Sequence, residues 1–247
     1  MNAMALRAVK PVETGAVSVT VQPINMAEIR LKIRGLSPLV MNAFSEKATR
    51  QMMEQMSTPQ AKKKAKSERK PRDYEAEHLG AHHFATEGWV GIPCNGFRAC
   101  AIESCRLAGV MMTRAKQALF MVADGWDRVD GQGLVKLDDM GEPPEKTIMH
   151  VRLESGVVSL ACRPMWRKWQ ATITVRYDAD WISVENVINL FNRGGQQVGL
   201  CEGRPGSPNS YGMGWGTFAI VGAVNPEPIP APDPSKLINM LEDGNGE

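Results

Sequence analysis

The sequence has no Cys-x-x-Cys pair, and its five cysteines (Cys94, Cys100, Cys105, Cys162, Cys201) are an odd number. That pattern indicates neither a disulfide framework nor a zinc ribbon, and the residues read as reduced thiols. No apolar run approaches the roughly 18 residues that a membrane span needs. The opening stretch MNAMALRAVKPVETG also lacks the apolar core of a signal peptide. The expectation is a cytoplasmic chain, bacterial or in a host cytoplasm if viral, with no membrane partner. Histidines number four and aromatics make up 6%, so side chains suited to proton transfer or stacking are scarce. Net charge is low as well, at +2, and by itself names no partner. What is present is an ordinary globular composition, 43% hydrophobic and 23% charged, which excludes a wholly disordered chain.

The low net charge hides an uneven distribution. Between residues 59 and 72, Lys62, Lys63, Lys64, Lys66, Arg69, Lys70 and Arg72 face a single acid, Glu68. From Gly222 onward, Lys236 stands against Glu227, Asp233, Glu242, Asp243 and Glu247. A basic arm and an acidic tail therefore flank a neutral body. The arm has proline at both ends and almost nothing apolar, so it is expected to be a mobile loop, attractive to a polyanion or simply solvated. In the tail, prolines at 226, 228, 230, 232 and 234 favour an extended stalk. Leu237, Ile238, Met240 and Leu241 beyond it form either a docking peptide for a neighbouring subunit or part of a polar tail.

Between arm and tail the periodicity is that of an α+β domain. Glu28 to Arg34 alternates Ile29, Leu31 and Ile33 with Glu28, Arg30, Lys32 and Arg34, a half-buried strand whose wet face is rich in cations. Ser45 is placed to cap a helix reaching Met56, with Ala48, Met52, Met53 and Met56 as its packing face. Phe97, Ala101, Cys105 and Ala108 predict a helix capped by Asn95 and stopped by Gly109. Thr113 to Ala123 predicts another, and Leu134 to Leu137 with Ile148 to Leu153 predict hairpins. The clearest strand is Lys168 to Asp178. Ser183 then caps a helix carrying Val184, Val187, Ile188 and Phe191, expected to end at Gly194-Gly195, and Trp215 to Val221 predicts a closing strand. The expected fold is a ferredoxin-like or RRM-like βαββαβ core: a single domain over residues 1–222 with an insertion at 57–88, followed by a tail over 223–247.

The densest signal is VGLCEGRPGSPNSYGMGWGTF, residues 198–218, with glycines at 199, 203, 206, 212, 214 and 216. Glycine is required where φ is positive or where another backbone passes close, and successive free N–H groups can then cradle an anion. Arg193 and Arg204 add charge for a phosphate. No Gly-Lys-Ser/Thr closes the loop and no helix follows it, so it is neither a Walker loop nor a dinucleotide fingerprint; the competing reading is a glycine-rich hairpin without ligand. Upstream, Arg163-Pro164-Met165-Trp166-Arg167-Lys168-Trp169 interleaves cations with two indoles, a pattern suited to stacking on an unpaired base while holding phosphates. The competing reading puts Trp169 in the core.

The helix Val184 to Phe191, then Gly199, a variable turn and Gly212-Met213-Gly214-Trp215-Gly216-Thr217-Phe218 resemble the C-terminal glycine-rich signature of the RAMP superfamily, the RNA-binding proteins of CRISPR systems. Gly91-Ile92-Pro93-Cys94-Asn95-Gly96-Phe97-Arg98 is similar to the element that opens the first helix of that family's backbone subunits. The resemblance implies an RRM-like core packing head to tail along single-stranded RNA, alongside other effector-complex subunits. It puts Asn95 and Arg98 towards the nucleic-acid backbone, and Gly212, Gly214 and Gly216 where the terminal strand passes close to the first; Gly199 and Gly203 are expected as backbone positions of the same glycine loop. Cys94 and Asn95 depart from the family's small Gly-Ser pair, and residues 205–209 lengthen the loop.

No Ser-His-Asp or paired-carboxylate set is assignable, so no catalytic residue is expected, and no cofactor. His78 and His82 have i, i+4 spacing, but with His83 they read as an exposed helix face rather than metal ligands. His150 is a lone histidine on a short apolar strand. Three alternatives stay open: a single-stranded DNA binding or annealing protein, a RAMP-type endoribonuclease using His150 or an unassigned Asp, and an assembly protein that never meets nucleic acid.

Overall fold

The computed structural model describes residues 21–44, 49, 50, 53, 56, 57, 72–152, 158–207 and 213–230. Ser45, Ala48, Met52, the arm residues Lys62, Lys63, Lys64, Lys66, Arg69 and Lys70, Gly212 and everything after Pro230 lie outside them. The architecture is α+β with antiparallel sheets. No helix among the described residues is long and apolar enough to cross a membrane.

The alternating stretch at residue 28 forms β1 (Met26–Gly35), which pairs on both flanks. On one side it meets β9 (Gln170–Asp178), setting Ile29 opposite Val175, Leu31 opposite Ile173 and Ile33 opposite Ala171. On the other it meets β10 (Phe218–Ile229), and β9 in turn pairs with β4 (Leu119–Val122). The sheet order is β10-β1-β9-β4. Strict period-two alternation puts one apolar row of β1 and β9 under helices and leaves the other row in solvent.

Two helices cover the apolar row: α2 (Cys94–Ala108), between β1 and β4 in the chain, and α4 (Val184–Gln197), between β9 and β10. In α4, Val187, Leu190, Phe191 and Gly194 fall at i, i+3, i+4 and i+7 and are buried. Ser183 caps it as expected, accepting from Asn186 N at 3.4 Å. The buried Ser104 hydroxyl of α2 lies 3.0 Å from Leu190 O of α4 and 2.7 Å from Ala101 O, so its single proton links the helices or its own turn.

A three-stranded sheet, β2 (Leu39–Val40), β8 (Val158–Trp166) and β7 (Glu145–Arg152), and a second of β3 (Gly91–Pro93), β6 (Gly133–Lys136) and β5 (Gly125–Trp126) flank the main sheet. The short helix α1 (Tyr74–Gly80) is capped by Asp73, whose Oδ1 accepts from Glu75 N and Ala76 N. A further helix, α3 (Met112–Ala118), follows α2.

Several expectations are corrected here. Gly194-Gly195 does not end α4, which continues to Gln197. These glycines allow close approach instead: a Cβ at 194 would lie 2.9 Å from Cys100 O, and one at 195 would lie 2.7 Å from the Phe218 ring. The helix expected over 113–123 stops at Ala118, and Leu119 to Val122 become β4, where pairing with β9 outweighs weak helix preference. The closing strand runs past Val221 to Ile229. Pro228 is tolerated there, although the stalk was expected from 223, because β10 is a sheet edge whose outer N–H groups need no partner. Met53 and Met56 are exposed rather than packed.

Gly195→Ala tests the close approach. Helix propensity favours alanine by about 1 kcal/mol, but overpacking at a backbone contact costs about 1–3 kcal/mol or more. The expected result is a lower melting temperature. Gly96→Ala in α2, where the nearest atom to a new Cβ is Leu200 Cδ2 at 4.0 Å, should raise it.

Candidate functional site

The two glycine-containing motifs, about a hundred residues apart in sequence, meet at one cleft of about 540 Å³. Its first wall is the start of α2, where Pro93 occupies the N-cap position and no side chain caps the helix. Asn95 was expected to be that cap; the cap falls two residues earlier, at Pro93, and Asn95 instead donates from Nδ2 to Gln132 Oε1 at 3.2 Å. The first amides of α2 therefore lack intrahelical acceptors and sit at the positive end of its dipole.

The second wall is the loop after α4, built by backbone crossings. Gly199 (φ 73°), Gly203 (φ 74°), Gly214 (φ 68°) and Gly216 (φ 68°) all take left-handed geometry. Gly216 must be glycine for a second reason, since a Cβ there would collide with the Leu200 backbone. Most of the loop's described amides are already bonded, among them Leu200 N to Gly216 O at 3.0 Å, Glu202 N to Val40 O at 3.0 Å, Gly206 N to Val198 O at 2.9 Å and Trp215 N to Gly203 O at 3.1 Å. The glycines serve these crossings. The amides of Cys201, Gly203 and Arg204 have no partner among the described residues. Cys201 is the one non-glycine residue among those described with positive φ, at 59°.

Arg204 lines the cleft and donates from Nη1 to Cys201 O at 3.0 Å. Glu202 is held by Arg163, whose Nε lies 3.0 Å from its Oε2. Asn42, His83, Glu103, His150 and Ser207 add to the polar lining. His83 Nδ1 lies 2.8 Å from Oδ2 of the buried Asp127, which also accepts from Val129 N at 2.8 Å through Oδ1. Burial pushes the Cys94 thiol up to about 11 and the Cys100 and Cys201 thiols up to about 12, so all three stay protonated at neutral pH. Among the described residues no His, Cys, Asp and Glu cluster is arranged to hold a metal ion.

The other expected site residues lie elsewhere. Arg98 donates to the Leu119 carbonyl at 2.8 Å and to the Lys116 carbonyl, tying α2 to the end of α3, with its guanidinium 5.7 Å from the Phe120 ring centre. Arg193 is exposed beside a separate groove between α2 and α4. Arg167 and Lys168 are exposed and pair with Glu145 at 3.0 Å and Glu142 at 3.5 Å. Arg72 is held by Glu77 at 3.0 Å and donates to Ser159 Oγ and the Leu160 carbonyl. Trp166 is only 8% exposed and Trp169 1%. Neither indole offers an open face to a base: Trp166 meets the His82 ring edge-on at 5.4 Å, and Trp169 donates to Ser37 O at 2.9 Å beneath Gly35.

The histidines also depart from the expected exposed face. The run turns inward after α1, so His82 is buried, stacked on Phe84 at 5.2 Å, with Nδ1 2.8 Å from His78 O. The participation of His83 and Asp127 was missed because they are 44 residues apart and the sequence carries no spacing that joins them. The chain matches no protein-family model, and no curated protein matches it.

Desolvation lowers the His82 pKa below the ordinary histidine value, outweighing the opposing bond to His78. The unfolded chain then binds a proton before the native one does. Stability should fall as pH drops below about 6.5, with that loss complete once the depressed native pKa is passed. His82→Phe, which keeps the ring stack, should flatten the fall in melting temperature between neutral pH and pH of about 5.5.

Proposed function

We propose that the protein is a single-stranded nucleic-acid-binding subunit, with RNA favoured over DNA, that oligomerises head to tail along its ligand in the manner of a CRISPR effector backbone. The supporting observation is the cleft, where the uncapped start of α2, the partnerless amides of residues 201, 203 and 204, and the Arg204 guanidinium converge. Such a grouping suits a phosphodiester, since helix-terminal N–H groups and a guanidinium favour an anion that water also reaches. The same reading takes the main sheet with α2 and α4 as a ferredoxin-like βαββαβ core. Its support is the strand order β10-β1-β9-β4, with one helix between β1 and β4 and the other between β9 and β10. The resemblance to the RAMP superfamily favours RNA and supplies the effector partners; the basic arm adds long-range attraction.

A second reading, endoribonuclease, draws on the His83–Asp127 pair. With Nδ1 donating to the carboxylate, Nε2 is left to take a proton from a ribose 2′-hydroxyl, and His150 on the same cleft could return one to the leaving 5′-oxygen. The 2′-oxygen then bonds to phosphorus as the 5′ P–O bond breaks, which confines cutting to RNA.

Filter binding with single strands of about 30 nucleotides, enough for more than one site size, is expected to show salt-sensitive retention, RNA outcompeting DNA of the same sequence. Arg204→Gln should weaken it about threefold to tenfold. Absence of binding to either strand rejects the proposal, and preference for DNA moves it to a DNA-binding or annealing protein. End-labelled RNA incubated with wild type, His83→Ala and His150→Ala decides the second reading; RNA left intact by wild type removes it.

A further inference from the structure

The solvent face of the main sheet is uncovered by any helix among the described residues and carries an unbalanced charge. On β1, Arg30, Lys32 and Arg34 are all exposed, and their side chains have no ion pair or hydrogen bond among the described residues. Strand geometry spaces such alternate side chains about 6.8 Å apart along one line, comparable to the separation of neighbouring phosphates in an unstacked single strand. Their neighbours across β9 are neutral: Thr174 opposite Arg30, Thr172 opposite Lys32 and Gln170 opposite Arg34. Their neighbours across β10 are Val224, Gly222 and Ala219. At the Arg34 end Asp138 lies beyond β9, its N donating to Gln170 O at 2.9 Å, and three acids stand at the other end of the sheet. Glu28 there is 3.5 Å from Arg176, and Glu227 and Asp178 stand near the Met26 end of β1.

The positive end of this gradient leads to the cleft. Beyond Arg34, Gly216 N donates to Pro38 O at 2.8 Å and Glu202 N donates to Val40 O at 3.0 Å, while Asn42 lines the cleft itself. A chain of phosphates leaving the cleft over this sheet end would meet Arg34, then Lys32, then Arg30.

We propose that the exposed row Arg30, Lys32 and Arg34 is a second binding surface, taking about three consecutive phosphates of the same single strand that enters the cleft. The inference rests on the nucleic-acid-binding reading. It adds the path of the ligand: across the sheet end and along β1, held by charge and backbone spacing rather than by base recognition. The neutral residues beside the row and the lack of an aromatic on β1 make this surface indifferent to sequence.

The test measures the salt dependence of affinity for one oligonucleotide with four proteins: wild type, the triple variant Arg30→Gln/Lys32→Gln/Arg34→Gln, Arg204→Gln and Thr172→Lys. Each phosphate neutralised on a single strand contributes about 0.7 to the slope of log affinity against log salt. The triple variant should lower that slope by about 2 and the low-salt affinity tenfold or more, with an unchanged melting temperature because the substituted side chains are partnerless. Thr172→Lys adds a cation beside Lys32 and should raise the slope by about 0.7. A triple variant and Thr172→Lys that both keep the wild-type slope, while Arg204→Gln weakens binding, overturn this surface and leave the cleft reading standing. Wild type that binds no strand overturns both. If the triple variant binds normally but changes the oligomeric state without nucleic acid, the face is a protein-docking surface and the proposal is overturned.

Discussion

The fold is referred to β1, the one strand among the described residues that is paired along its length on both sides. Its alternation decides which face of the main sheet is dry, and a one-residue slip would put Arg30, Lys32 and Arg34 under the helices and Ile29, Leu31 and Ile33 in water. Burying three unpaired cations costs far more than register irregularity recovers, so the pairing is fixed from inside. The two bulges between β1 and β10, at residues 28–30 and 32–33, show where irregularity is allowed: on the edge strand, while the β9 side continues unbroken.

From β1 the order passes to the helices through small residues. Gly194 and Gly195 bring α4 against Cys100 and Phe218, and Gly35 makes room for Trp169, whose ring meets Phe218 at 6.1 Å. The cleft depends on these contacts. The loop after α4 starts where Gly199 N reaches back to Gly194 O at 2.9 Å, so the depth at which α4 packs sets where Cys201 and Arg204 stand relative to the start of α2. The left-handed backbone at Cys201 falls in this same loop, where a strained residue is held by neighbours that over-determine it.

The elements readable in the sequence are those whose own side chains carry the period. β1, β9, α2 and most of α4 show it, because each buries one face against a single layer. What was misread depends on partners distant in the chain. A Gly-Gly pair reads locally as a helix stop, and the close approach of Cys100 to Gly194 and of Phe218 to Gly195 is what it serves instead. Leu119 to Val122 has no alternation of its own until β9 lies beside it. Trp166, interleaved with cations, reads as a stacking residue, yet the folding of β8 back over residues 37–41 puts it inside, while Trp169 takes the core place that the competing reading gave it. The cleft was legible as two separate glycine motifs, but the His83–Asp127 pair and the spent amides of the loop follow from chain crossings that no spacing encodes.

The two margins of the main sheet differ in a way that bears on assembly. One is β4, four residues long; the other is β10, bulged against β1 and carrying Pro228 in its distal half. A short margin and a proline-bearing, kinked one are poor templates for strand addition. Copies of this chain are thereby discouraged from fusing their sheets into one continuous ribbon, and the repeat distance of any array they form is released from the fixed spacing of β-strands. Contacts through loops and helices can then set that repeat to match whatever lies along the array.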